Sequence, residues 1–207
     1  MASFGLSKDH VDFKVVMLGS EYSGKTSLVQ RYIANEFHGN LYQNTIGASY
    51  TSKDFNINLR KVRMGIWDTA GAERYHAISK IYYRNCRAAV ICFDPTDQDS
   101  FKKLRYWVTE VKKSSAKAKI YIVKTKMDLF EDGKQKSVVD QNDVNDLVQE
   151  FDAKMFETSA KTGENVKELY YDIAQDYVND PTTSITFFGD YEAFKQDRLR
   201  SRLCCGF

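Results

Sequence analysis

The chain has 207 residues, the size of one ordinary domain, and is 43% hydrophobic, enough apolar side chain for a sizeable core. Its 30 Lys and Arg stand against 28 Asp and Glu, a net charge of +2, too even a balance for bulk nucleic-acid binding. No apolar leader precedes Val11, and no run approaches the ~18 apolar residues of a membrane span, so neither a secretory signal nor a spanning helix is expected.

Phe13–Leu18 is a short, valine-containing apolar run that ends at Gly19; a second glycine, Gly24, is followed by Lys-Thr-Ser. This order predicts a strand, a glycine-rich loop and a helix over about Lys25–Asn35. Ser49–Leu59 and Val62–Asp68 read as extended, and with only Arg60 and Lys61 between them they predict a hairpin. Ala88–Phe93 and Ile120–Val123 are apolar runs of buried-strand length, and a short strand is expected near Met155 and Phe156. Leu104, Trp107, Val108 and Val111 fall on one helical face, as do Val144, Leu147, Val148 and Phe151, and then Val166, Leu169, Tyr170, Ile173, Ala174 and Tyr177.

Buried strands alternating with amphipathic helices predict an α/β fold. The expected architecture is a six-stranded, mostly parallel sheet with one antiparallel edge strand and helices on both faces. The folded domain is expected over residues 12–178, with an N-terminal extension over 1–11 and a flexible tail over 179–207. Cys86 and Cys92 lie in or beside an apolar segment and read as reduced core residues, whereas Cys204 and Cys205 sit together near the end, unlike a disulfide framework.

Gly19-Ser20-Glu21-Tyr22-Ser23-Gly24-Lys25-Thr26 fits G-x-x-x-x-G-K-[ST]. Glycines at this spacing let backbone N–H groups turn inward around phosphates, and the helix that follows adds its positive dipole end. Lys25 reaches the β- and γ-phosphates, and the Thr26 hydroxyl is a ligand for Mg²⁺. Trp67-Asp68-Thr69-Ala70-Gly71 follows a predicted strand. Asp68 there suits the outer shell of the metal, and Gly71 permits close backbone approach to a γ-phosphate. The hydroxyl of Thr45, in Thr45-Ile46-Gly47, is a candidate to complete the metal shell. Thr125-Lys126-Met127-Asp128 ends another buried strand, where a carboxylate accepts from N1–H and the 2-amino group of guanine, a donor pair that adenine lacks. Ser159-Ala160-Lys161 follows the next strand and closes over the same base. Both segments lie at strand C-terminal ends, where open α/β sheets bind ligands.

Phosphate loop, Thr-Ile-Gly, Trp-Asp-Thr-Ala-Gly, Thr-Lys-x-Asp and Ser-Ala-Lys, in this order and over about Asp12–Val178, resemble a Ras-superfamily small GTPase. Within it, Ile46-Gly47-Ala48-Ser49-Tyr50, Ala72-Glu73-Arg74-Tyr75 through Ile81-Tyr82-Tyr83-Arg84, and Leu104-Arg105-Tyr106-Trp107 resemble Rab-distinguishing stretches. The resemblance implies a GTP- and Mg²⁺-binding switch. By it, the nucleotide is held by Tyr22, Ser23, Gly24, Lys25, Thr26, Ser27, Thr45, Gly71, Thr125, Lys126, Asp128, Ser159, Ala160 and Lys161. The metal is held by Thr26, Thr45 and Asp68, and Lys25, Thr45 and Gly71 take the catalytic roles. Tyr50, Trp67 and Tyr82 match the aromatic patch with which Rabs meet effectors. An exchange factor, an activating protein and an escort protein are implied as further partners of a monomer.

The family usually has Gln where this chain has Ala72, and a methyl group cannot hold the attacking water, so slow hydrolysis is expected. Glu21 stands where a small residue is usual, near the γ-phosphate, and Thr125 replaces the usual Asn, leaving fewer hydrogen bonds for the base. Asn44 is a further departure without a reading. These features are similar to those of one atypical Rab subgroup, number twenty-four, associated with autophagy. Cys204-Cys205-Gly206-Phe207, after Arg198, Arg200 and Arg202, resembles a Rab prenylation site and also fits a single C-a-a-X box. Lipid beside a basic stretch implies attachment to the cytoplasmic face of intracellular membranes, with a cytosolic pool. The rival expectation is a nucleotide-loaded scaffold without significant turnover.

Overall fold

The computed structural model describes residues 11–39, 45–71, 81–130 and 135–184. Six strands form one sheet in the order β2-β3-β1-β4-β5-β6: β1 (Phe13–Gly19), β2 (Ala48–Ile57), β3 (Arg60–Thr69), β4 (Ala88–Phe93), β5 (Lys119–Lys124) and β6 (Lys154–Glu157). Only the β2–β3 pair is antiparallel, which matches the expected architecture. The central strands are apolar on both sides because both faces are covered. Phe13, Val15 and Met17 of β1 enter one core with α1 (Lys25–Ala34) and the long C-terminal helix, here α5 (Val166–Asn179). Val16 and Leu18 enter the other, with α2 (Gln98–Lys102), α3 (Leu104–Ser114) and α4 (Gln141–Glu150).

Local chemistry starts and stops these elements. The Asp97 and Asp140 carboxylates cap α2 and α4 by accepting from the N–H groups of Asp99 and Asn142. α1 ends at Asn35, whose φ of 58° is left-handed. The hairpin differs from the sequence expectation. β3 already begins at Arg60, and the turn is Asn58-Leu59, both left-handed at φ 49° and 64°. A two-residue hairpin turn needs this conformation, and its second residue here is a leucine rather than glycine, so the local sequence does not mark it. The last helix continues to Asn179, and a 3₁₀ turn spans Pro181–Ser184. Cys86 and Cys92 are buried and unbridged.

β1 pairs in parallel with β3 on one side and β4 on the other. Successive connections diverge there, so the C-terminal ends of the parallel strands open a crevice at β1.

Candidate nucleotide-binding site

The turn after β1 depends on glycine. Gly19 has φ +132° and a Cβ there would lie 2.3 Å from the Cys92 carbonyl oxygen; Gly24 has φ +85° and faces Thr125. Ser23 is buried and its Oγ donates to the Ser20 carbonyl at 2.8 Å, closing the loop on itself. Tyr22 takes a left-handed φ of 59° and turns its ring outward, 71% exposed. The Lys25 ammonium is buried and donates to the carbonyls of Gly19 (3.0 Å) and Ser20 (2.7 Å). Burial holds its pKa below the ordinary lysine value, and the carboxylates of Asp68 and Glu21 act against that shift.

Thr26, the next residue, joins three elements. Its hydroxyl donates to Asp68 Oδ2 at 2.7 Å and lies 3.0 Å from the Thr45 hydroxyl. One hydroxyl carries one proton; Thr26 gives its own to the carboxylate, so Thr45 donates to Thr26. Asp68 Oδ1 is buried and has no hydrogen-bond partner among the described residues. Burial raises the Asp68 pKa, against the Thr26 hydrogen bond and the Lys25 charge. Three clustered oxygens, with the unmet buried acceptor Asp68 Oδ1 beside them, fit a hard divalent cation with bound water. Thr69 Oγ1 donates to the Met17 carbonyl (2.7 Å), fastening the end of β3 to β1. Just beyond it, a Cβ on Gly71 would lie 2.4 Å from the backbone nitrogen of Glu21, so the two loops touch backbone to backbone.

The other end of the crevice is built from β5 and β6. The Thr125 hydroxyl lies 3.0 Å from the carbonyls of both Ser23 and Phe93, tying the phosphate loop to the end of β4. Lys126 is left-handed at φ 58° and donates to Asp94 Oδ2 at 2.6 Å. Asp128 Oδ1 accepts from the Ser159 hydroxyl at 2.6 Å, and Lys161 Nζ lies 3.6 Å from Oδ2. A pocket of about 670 Å³ runs from Glu21, Lys25, Thr26, Thr45 and Gly71 to Lys126, Asp128, Ala160 and Lys161.

Most of the residues singled out in the sequence therefore meet. Tyr22, Gly24, Ser27 and Thr125 also line the pocket, whereas Ser23, Asp68 and Ser159 do not line it but hydrogen-bond Thr125, Thr26 and Asp128, which do. Phe37 and Arg31 were not anticipated. Phe37 lines the pocket, 39% exposed, from the segment after α1. Arg31 hydrogen-bonds Ala160 and Lys161. An exposed aromatic just after a capped helix is a signal that could have found Phe37; nothing local marks Arg31. The Tyr50 and Trp67 rings lie 4.8 Å apart; Tyr50 is exposed, Trp67 is 5% exposed, and Tyr82 packs partly buried against the same core. Asn44, Ala72, Cys204 and Cys205 lie outside the described residues.

Residues 14–179 match the Ras family. The chain belongs to that family. Its relatives place it among the Rab-type small GTPases. It is 41% identical over 172 residues to the Ras-related protein Rab-24 of Dictyostelium discoideum, covering 83% of this chain and 84% of the relative. It is 42% identical over 166 residues to Rab-21 of Geodia cydonium (80% and 70% covered) and 39% over 164 residues to human Rab-21 (79% and 71%). As a small GTPase it binds guanine nucleotide and hydrolyses GTP to GDP and phosphate. Among the described residues no helix is long and apolar enough to cross a membrane.

Proposed function

We propose that this chain is a membrane-anchored GTP/GDP switch of intracellular vesicle or autophagic trafficking that hydrolyses GTP slowly. The observation that carries the nucleotide part is one pocket with a buried ammonium and a three-oxygen cluster at one end and a hydroxyl-held carboxylate at the other.

At the phosphate end, Lys25 exchanges its two loop carbonyls for phosphate oxygens, and the N–H groups of the loop and of the start of α1 supply the remaining donors. Thr26, Thr45 and Asp68 would hold Mg²⁺ at this end. The metal, when bound, neutralises charge on the β- and γ-phosphates. At the other end the Asp128 carboxylate, oriented by Ser159, accepts from N1–H and the 2-amino group of guanine.

A γ-phosphate holds Thr45 and Gly71 toward the pocket, and its loss releases them. Nearby, the exposed Tyr50, its ring against the buried Trp67, and the partly buried Tyr82 form the aromatic patch read as the effector face. Ala72 places a methyl group where the family uses a Gln to orient the attacking water, which supports slow turnover. Cys204 and Cys205 take the lipid that anchors the chain. Glu21 lines the pocket and adds negative charge at the phosphate end, which supports a second reading: a nucleotide-loaded scaffold with little turnover.

Competition against fluorescent GDP tests the assignment of the base site. GTP should compete and ATP should not, and Asp128→Asn should weaken GDP binding while admitting xanthosine diphosphate, whose 2-oxo group accepts from the new amide. Equal competition by ATP, or unchanged guanine binding in Asp128→Asn, would contradict it.

A further inference from the structure

We propose that Arg31 is a positioning residue that holds the Ser159-Ala160-Lys161 loop in place and thereby sets how fast guanine nucleotide leaves. Arg31 lies on α1, the helix whose first residues, Lys25 and Thr26, stand at the phosphate end. Its Nε donates to the Ala160 carbonyl at 2.5 Å and its Nη2 to the Lys161 carbonyl at 2.6 Å, across 129 and 130 positions of sequence. Nη1 donates to the carbonyl and side-chain oxygens of Asn35, the residue that ends α1. The planar guanidinium thus joins the base loop to the helix end in one rigid fork.

Helix capping alone accounts for the bonds to Asn35 but not for those to Ala160 and Lys161. The loop's own backbone bonds, from Ser159 N to Glu164 O and from Gly163 N to Ser159 O, stay within it. Arg31 ties it to the rest of the site, and its stem also lies 3.8 Å from where a Cβ on Gly163 would stand. The same loop supplies the Ser159 hydroxyl that orients Asp128. Losing the fork therefore loosens the carboxylate that reads the base, while Lys25, Thr26 and Asp68 keep their contacts. A lysine does not replace it, because one ammonium does not present the parallel donors that two neighbouring carbonyls require. A partner that drew α1 and this loop apart would release nucleotide from the base end.

The inference rests on the assignment of Asp128 and its loop to guanine, and the test separates the two. Release of fluorescent GDP and of fluorescent inosine diphosphate, which lacks the 2-amino group, is timed in the full chain with Mg²⁺ present. Wild type is compared with Arg31→Met and Arg31→Lys. Both variants should release GDP faster, Arg31→Met by roughly tenfold or more, as expected for losing hydrogen bonds from a charged donor. Their preference for GDP over inosine diphosphate should shrink, while the ratio of GDP to GTP release and the acceleration by a metal chelator stay as in wild type. Faster release of both diphosphates in equal proportion, or GDP release unchanged to within about twofold, would overturn the inference. If Arg31→Met does not fold, Arg31→Lys carries the same comparison. A wild type without preference for GDP over inosine diphosphate would overturn the base assignment and the inference with it.

Discussion

Asp94 shows how one side chain conditions the base end. It is 6% exposed, accepts from the Lys126 ammonium at 2.6 Å, and accepts from the backbone and hydroxyl of Thr96 at 2.8 and 2.7 Å. Burial pushes its pKa up, but the Lys126 and Thr96 bonds together outweigh burial and leave it below the ordinary aspartate value. A depressed folded pKa gives stability that is complete above the unfolded value of about 3.9 and is lost as pH falls through the folded value. Wild type should therefore lose urea resistance below about pH 4 more steeply than Asp94→Asn. At pH 7 the variant should be less stable by about 1 kcal/mol, a modest figure because solvent reaches Lys126. Parallel pH profiles for the two proteins would show that the pair is silent. Thr125 makes a related point. It offers a base fewer hydrogen bonds than an Asn would, and its hydroxyl lies within hydrogen-bond reach of the Ser23 and Phe93 carbonyls and so ties the phosphate loop to β4.

Among the elements, β3 and the phosphate loop meet backbone to backbone at Gly71. A methyl group on Gly71 would meet the Glu21 nitrogen at 2.4 Å and the Ser20 carbonyl carbon at 2.5 Å, and backbone atoms do not move aside as a side-chain end does. Gly71→Ala should push the end of β3 away and lower GTP affinity at least about tenfold more than GDP affinity, since only GTP carries the phosphate that Gly71 approaches. Equal losses for both nucleotides, measured by titration, would mean that the junction is only structural. The phosphate loop was legible because cradling phosphate demands glycines and a lysine at fixed spacing. The sheet was legible because both of its faces are covered, which leaves continuous apolar runs. The hairpin register slipped in the reading because Leu59 adopts a left-handed conformation that its chemistry does not advertise. Arg31 was illegible because its partners are backbone carbonyls in a segment remote in sequence.

Across the whole molecule, the two ends of the sheet are built differently. The nucleotide pocket lies at the C-terminal ends of the strands. α5 finishes at the opposite edge, where the Tyr177 hydroxyl donates to the Asp12 carbonyl at 3.1 Å and its ring stacks on Phe13 at 4.2 Å. The proposed slow turnover turns on Ala72, a side chain that cannot hydrogen-bond an attacking water. The direct test is single-turnover hydrolysis of bound GTP by wild type beside Ala72→Gln. Slow wild-type turnover that the glutamine clearly accelerates is the predicted result; brisk turnover in wild type, or no gain from the glutamine, would contradict the role given to Ala72.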